Sequence, residues 1–164
     1  MRNLLLFFSI LFVVGMSSCG VKEKLVVQEM YTKYTAVNDT LDKLTTQWHS
    51  LRDQASISKN YAPLAPARIA LGSFISRARS WVANIPQTKE NERLKSEEDA
   101  LLLQQSNLVS EVYPTFEQFN EYTPKEVVDK NLSLLNDDLL NLKTKIAEVK
   151  KRTDAMAKKY DVKK

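Results

Sequence analysis

Apolar residues recur at alternating intervals of four and three along two long stretches of the chain. In the C-terminal stretch they are Val128, Leu132, Leu135, Leu139, Leu142, Ile146, Val149, Met156 and Tyr160, with Thr153 as the one polar member. Near the other end the same rhythm runs through Val27, Met30, Tyr34, Val37, Leu41, Leu44, Trp48, Leu51 and Ala55. An interval averaging about 3.5 keeps one stripe of a helix turned toward a partner, so both stretches read as long core-facing or coiled-coil helices.

Between them the pattern is broken by proline. Asn60 to Pro66 holds Pro63 and Pro66, each lacking an N–H donor and disfavouring helix in the residue before it. A second helix is expected from about Ala67 to Ile85, burying Leu71, Phe74, Ala78, Val82 and Ile85. Pro86 ends it. A third starts near Thr88 with a weaker series, Leu94, Leu101, Leu108 and Val112, on which Glu98 and Gln105 also fall. A stripe interrupted by a carboxylate and an amide predicts a helix exposed for part of its length. Pro114, inside the aromatic run Tyr113 to Phe119, either kinks this helix or starts a short new one. The last helix is announced by Thr123 as N-cap, Pro124 at the first helical position and Glu126 beyond, with Tyr122 and Val127 as the staple.

Lengths then suggest a topology. A first helix from Leu25 to Ser58 rises roughly 50 Å and a second returns about 28 Å, after which a third climbs and the fourth runs the whole way back. The fold expected is all-α: an antiparallel up-down-up-down bundle with long heptad-patterned first and last helices and shorter middle ones. The half near the N-terminal leader should then be mainly the first and last helices. Only three glycines and five prolines occur, too few for the frequent turns of a β or α/β protein.

The first eighteen residues stand apart, because Arg2 precedes an apolar run from Leu4 to Val14 and small residues then lead to Cys19. That is the layout of a secretory signal, and it falls short of the roughly 20 apolar residues of a membrane-spanning helix. Met16-Ser17-Ser18-Cys19-Gly20 resembles the lipobox of bacterial lipoproteins, most closely the Bacteroidetes form, with Met16 where leucine is commoner. The resemblance implies cleavage before Cys19, lipid attachment to Cys19 and a membrane-anchored place in the cell envelope, periplasmic or surface-exposed. It divides the chain into a signal peptide (1–18), a lipidated tether (19–24) and a bundle domain (25–164). Cys19 is the only cysteine, so its lipidation leaves no thiol for a disulfide, a metal or catalysis.

Little in the remaining composition points to catalysis, and neither a cofactor nor a metal site is expected. One histidine is present, His49, which could share a helix face with Asp53, and Thr46 stands where a Glu-x-x-His pair needs its glutamate. The acidic runs Glu97-Glu98-Asp99 and Asp137-Asp138 read as solvated helix faces. Charge is uneven: residues 139–164 hold nine Lys or Arg against three acids, and residues 86–138 five against twelve. An even number of antiparallel helices would bring Lys158, Lys159, Lys163 and Lys164 back beside Cys19 and so to the membrane surface. No aromatic-interleaved basic motif suggests nucleic acid. Asp39-Thr40-Leu41 resembles the short Bacteroidetes O-glycosylation motif, which would place a glycan on Thr40.

Trp48, Trp81, Phe74, Phe116, Phe119 and Tyr122 are expected in the core, with any pocket between the ends of the second and third helices. The function expected first is a non-enzymatic envelope scaffold or adaptor that binds another protein. Its rival is a small-ligand-binding or sensing bundle with an aromatic-lined pocket.

Overall fold

The computed structural model describes residues 2–162, and side chains over residues 21–162. The side chains of the leader and Cys19, and all of Lys163 and Lys164, lie outside the described residues. The elements are α1 (Arg2–Ser58), α2 (Leu64–Ala83), α3 (Glu92–Asn107), a π-helical turn (Leu108–Val112), α4 (Tyr113–Glu117) and α5 (Lys125–Lys159). The chain is an all-α, up-down-up-down bundle: α3, the π turn and α4 form one interrupted rod between α2 and α5. Residues 20–24, expected as a tether, belong to α1.

Both heptad stripes do what their spacing predicts. On α1, Val27, Met30, Tyr34, Val37, Leu41, Trp48 and Ala55 are buried, with Leu44 and Leu51 partly so. On α5 the burial is lopsided. Val128, Leu135, Leu142 and Val149, seven residues apart, are buried with Thr153, whereas Leu132, Leu139, Ile146 and Met156 are only partly covered. A helix seated squarely between two neighbours would bury both halves of its heptad; α5 leans on one of them.

Charge shows which one. Arg152 binds Glu97, Lys159 Nζ lies 2.5 Å from Glu90, and Lys145 Nζ donates to Gln104 at 2.9 Å, so α5 is laced to α3 and to the loop before it. Arg68 likewise pairs with Glu117, and Arg79 with Asp99 at 3.0 Å, tying α2 to the same acidic rod. The uneven charge along the sequence is thus matched between neighbouring helices. Among the described residues, α5 and its C-terminal turn make ion pairs and polar contacts to α1 only at the far end, Lys24 to Asp161 at 3.6 Å and Tyr160 to Glu23 at 3.4 Å. These contacts also show that the chain returns to the level of residues 23 and 24. The acid loop around Glu90 reaches that level too, so this half of the bundle is not simply the first and last helices as expected.

Turns explain most shifts in helix boundaries. The second helix starts at Leu64 rather than Ala67, because a proline in the first turn lacks only a donor that would be unpaired anyway. The third starts at Glu92 rather than Thr88: the Asn91 side chain accepts from Thr88 N–H at 2.8 Å and donates to the Pro86 carbonyl at 2.9 Å, holding a compact loop. Lys95 caps the end of α2 by donating to the carbonyls of Ala83 and Ile85. Thr123 is not the N-cap of α5. Its hydroxyl accepts from Asn120 N–H at 2.9 Å, and Pro124 takes the cap position without a side-chain bond. Tyr122 is 84% exposed and Val127 is exposed, so the expected staple is not made.

The π turn follows from Pro114. With no N–H on that residue the carbonyl of Ser110 loses its partner, and the turn widens until Tyr113 N–H reaches Leu108, five residues back. The extra residue rotates the buried stripe: Leu94, Glu98, Leu101, Gln105 and Leu108 lead into Val109, Tyr113 and Phe116. Val109 takes the buried place expected of Val112. It packs beneath Gly72, where an added Cβ would come within 3.2 Å of Val109 Cγ1, so the absence of a side chain lets α2 approach the widened turn.

Candidate functional site

The third helix is not exposed where polar residues interrupt its stripe. Glu98 is 0% exposed and Gln105 is buried, so α3 turns a carboxyl and an amide into the bundle. Opposite them α1 presents Tyr34, Thr45, Trp48 and His49. Both oxygens of Glu98, Oε1 of Gln105, the hydroxyls of Tyr34 and Thr45, Trp48 Nε1 and His49 Nε2 are buried without a hydrogen-bond partner within the chain. A bundle interior normally pairs such groups. Six residues contributing seven unpaired atoms along one α1–α3 seam mark it as the unusual part of the molecule.

The electrostatics follow from burial. The Glu98 carboxyl is pushed up to about 7 because its charged form is desolvated, while the nearby Asn38 amide on α1 acts in the opposite direction. Burial raises the Tyr34 phenol as well, helped by the charges of Glu98 and Asp99. His49 is lowered to about 4, first by burial and then by Arg52 and Lys143, with Asp53 opposing. The expected His49–Asp53 pair is not formed. Arg52 stands between the two, donating to His49 Nδ1 at 2.9 Å and to Asp53 Oδ1 at 2.7 and 3.0 Å. A guanidinium only donates, so Nδ1 must be the acceptor nitrogen and the proton of the neutral ring sits on Nε2. His49 therefore offers a buried, unpaired N–H donor.

These groups underlie an open cleft. Between α1 and α5 lies a space of about 490 Å³, lined by Leu41, Leu139, Leu140 and Ile146 and by polar Asn38, Asp42, Thr46, Asn136 and Lys143, with Thr45, His49 and Gln105 at its base. A second cleft of about 570 Å³ continues along the same side from Asn38 toward Tyr31, between Tyr34 and Thr153. Both lie where α5 is least engaged. The place expected for a pocket, between α2 and α3, holds only a wide polar groove of about 660 Å³, in which Arg79 and Asp99 pair with each other. No aromatic residue lines it.

Aromatic side chains fill the core instead. Trp48 stacks on Tyr113, Phe116 meets Trp48 edge-on at 5.7 Å, and Phe119 packs against Phe116 and Tyr61. Phe74 is buried, whereas Trp81 is 43% exposed and Tyr122 fully on the surface, contrary to expectation. Of the acidic runs, Asp137 and Asp138 are solvated as expected. Glu97 binds Arg93 and Arg152, Asp99 binds Arg79, and Glu98 is buried between them in sequence. Thr40 lies on the half-exposed flank of α1, its hydroxyl donating to the Ala36 carbonyl at 2.8 Å. Lys158 is exposed and Lys159 is paired with Glu90.

Among the described residues no three His, Cys, Asp or Glu side chains converge as a metal site, and no helix is long and apolar enough to cross a membrane. Compared with known proteins, the chain matches no family model, no curated sequence and no solved structure. The functional reading therefore rests on the lipobox resemblance and on the cleft.

Proposed function

We propose that this chain is a membrane-anchored envelope lipoprotein whose bundle is a non-enzymatic binding module, holding a small ligand in the cleft between α1 and α5. The observation that carries the reading is the cleft itself, a space of about 490 Å³ in which Leu41, Leu139, Leu140 and Ile146 meet polar side chains, over a base formed by Thr45, His49 and Gln105. Small-molecule sites combine an apolar lining with a few convergent polar groups and enclose roughly 300–1,000 Å³. Here leucine and isoleucine alternate with polar side chains in the lining, and, apart from the His49 ring, the aromatic lining first expected is absent. Chemistry on the ligand is not part of the proposal. The nitrogen of His49 able to accept a proton is engaged by Arg52, and a ring lowered to about 4 is a weak base at neutral pH.

The adaptor reading keeps one observation in its favour, the exposure of Leu134 and Leu140 on α5, where a partner helix could lie. Anchoring rests on the Met16 to Gly20 run, and the return of α5 to the level of residues 23 and 24 supports a membrane-proximal position for Lys158 and its neighbours.

Two measurements test the proposal. Metabolic labelling with a fatty-acid analogue should mark the wild-type protein and not Cys19→Ala; equal labelling of both contradicts the anchor. Native mass spectrometry of full-length protein purified from membranes should show a small-molecule adduct that Thr45→Phe, which fills the cleft, abolishes. An adduct of unchanged abundance on Thr45→Phe, or none on either protein, contradicts the ligand-binding role.

A further inference from the structure

Going beyond the ligand-binding reading, we infer that the α1–α5 face is where a second copy of this chain docks, about a two-fold axis parallel to the bundle, with α1 of each copy against α5 of the other. The two clefts along this face repeat one layout. Each is bordered by an acid from α1 and a lysine from α5, Asp42 with Lys143 in the first and Asp39 with Lys150 in the second. All four side chains are exposed, and among the described residues none of them makes an ion pair. Other neighbouring helices of the bundle do pair such charges, as Arg68 with Glu117, Arg79 with Asp99 and Arg152 with Glu97 show. Unmatched charge of both signs is thus concentrated on the two walls of one open groove.

The heights of these residues decide how two copies fit. Asp42 lies eighteen residues along α1 from Lys24, and Lys143 lies eighteen residues back from Asp161, which Lys24 contacts, so the two stand level. Tyr31 is level with Asp154 in the same way, and its phenol can donate to that carboxylate. Asp39 and Lys150 are one helical turn out of step, about 6 Å, which an extended lysine side chain spans. A two-fold axis parallel to the helices keeps every residue at its height and sets α1 against α5 of the other copy, so Asp42 meets Lys143 and Asp39 meets Lys150, twice each. A two-fold perpendicular to the helices would set acid against acid and lysine against lysine, an arrangement that like charges oppose. The parallel axis also brings residues 21–24 of both chains to one end, as the anchor proposed at Cys19 requires of two chains in one bilayer. Arg52 on the α1 wall leaves the pattern intact, being paired with Asp53. Leu140, 69% exposed and level with Thr45, is covered by α1 of the other copy, which closes the mouth of the cleft. Because the contact is largely polar, it draws on confinement: chains tethered to one membrane meet at a raised effective concentration.

The test reconstitutes the full-length protein, labelled at its C-terminus with donor or acceptor dye, in lipid vesicles at low surface density, and reads energy transfer above that of random encounter. Wild type should transfer. A chain carrying Asp39→Lys and Asp42→Lys should lose the transfer, and so should one carrying Lys143→Asp and Lys150→Asp, both with denaturation midpoints close to wild type because the four positions are exposed. Mixing the two variant chains should restore transfer to the wild-type level, since each supplies the charge the other lacks. Contacts within one chain cannot produce that rescue. Wild type without transfer overturns the dimer and leaves the cleft to a small ligand or to a different protein, and the adduct sought by native mass spectrometry decides the ligand-binding role separately. Transfer that persists in both variant chains, or a mixture that stays silent, overturns this face as the place where the copies meet.

Discussion

The indole of Trp48 lies flat on the ring of Tyr113, with 3.7 Å between centroids and 11° between planes. The pair joins the middle of α1 to the residue that closes the π turn, so the widened turn forced by Pro114 is also what aims Tyr113 at α1. Both rings are fully buried, and Phe116 abuts the indole edge-on.

Trp48→Ala should therefore cost about 3–5 kcal/mol, the usual range for emptying a large aromatic site in a core. Trp48→Phe should cost clearly less, because it keeps an aromatic face and removes an indole N–H that has no partner. Urea denaturation of the two variants checks this. Equal losses would mean that the stack contributes little beyond volume.

On α5 the two halves of the heptad should separate experimentally. Leu135 is 0% exposed, and truncation to alanine should cost about 2–5 kcal/mol. Leu139 borders the open cleft, where solvent and neighbours can adjust, so Leu139→Ala should cost less than Leu135→Ala. Asn141→Ala, on the solvated flank, should stay within about 0.5 kcal/mol of wild type. If Leu139→Ala proves as costly as Leu135→Ala, α5 sits closer to α1 than described.

Glu98 and His49 should tilt stability with pH in opposite directions. Glu98 is raised from 4.5 to about 7, so between those values the folded state binds more protons than the unfolded. Its contribution is fully present below pH 4.5 and is lost as pH rises through 7, a change of roughly 3 kcal/mol. His49 is lowered from 6.5 to about 4, so the unfolded state binds more protons in that window. Stability from this group is complete above 6.5 and is lost as pH falls toward 4. In the wild type the two slopes oppose each other between about 4.5 and 6.5. Glu98→Gln should expose the histidine slope, with stability rising with pH, and His49→Phe the carboxyl slope, with stability falling. Denaturant midpoints across that range check the signs, and parallel profiles for the two variants would refute the assignment.

Asn91 holds the loop between α2 and α3 from a fully buried position, satisfying Thr88 N–H and the Pro86 carbonyl at once. Asn91→Ala leaves both without their partner and should cost about 1–3 kcal/mol. Asn91→Asp keeps the acceptor but not the donor, and should fall between. A wild-type midpoint for Asn91→Ala would show the loop to be held by other contacts.

Much of this fold was legible as period. A stripe of 3.5-residue repeats needs only the identities of its members, and from Val27 to Ala55 it placed every fully buried residue of α1 correctly among the described side chains. Helix starts were less legible, because Thr123 and Thr88 carry capping side chains that the structure spends on neighbouring turns. The site was the least legible part. Glu98 and Gln105 stood on the apolar series, and the expectation was that the helix would expose them; burial won because Leu94, Leu101, Leu102 and Leu108 on the same face had to go inside. Where the cleft lies could not be read either, since it depends on α5 leaning toward the acids of α3, a pairing of residues about 50 to 70 positions apart.

The account turns on the state of one ring, and His49 is the only histidine in the chain, so its signals cannot be confused with others. Long-range proton–nitrogen correlation spectra of the ring, recorded as a function of pH, report directly which nitrogen carries the proton and where it titrates. The expected result is a neutral ring protonated at Nε2, bound through Nδ1 to Arg52 and charging only near pH 4. A ring protonated at Nδ1, or one that titrates near the ordinary value of 6.5, would mean that His49 is neither buried nor held by Arg52 as described beneath the cleft, and would contradict the account at its centre.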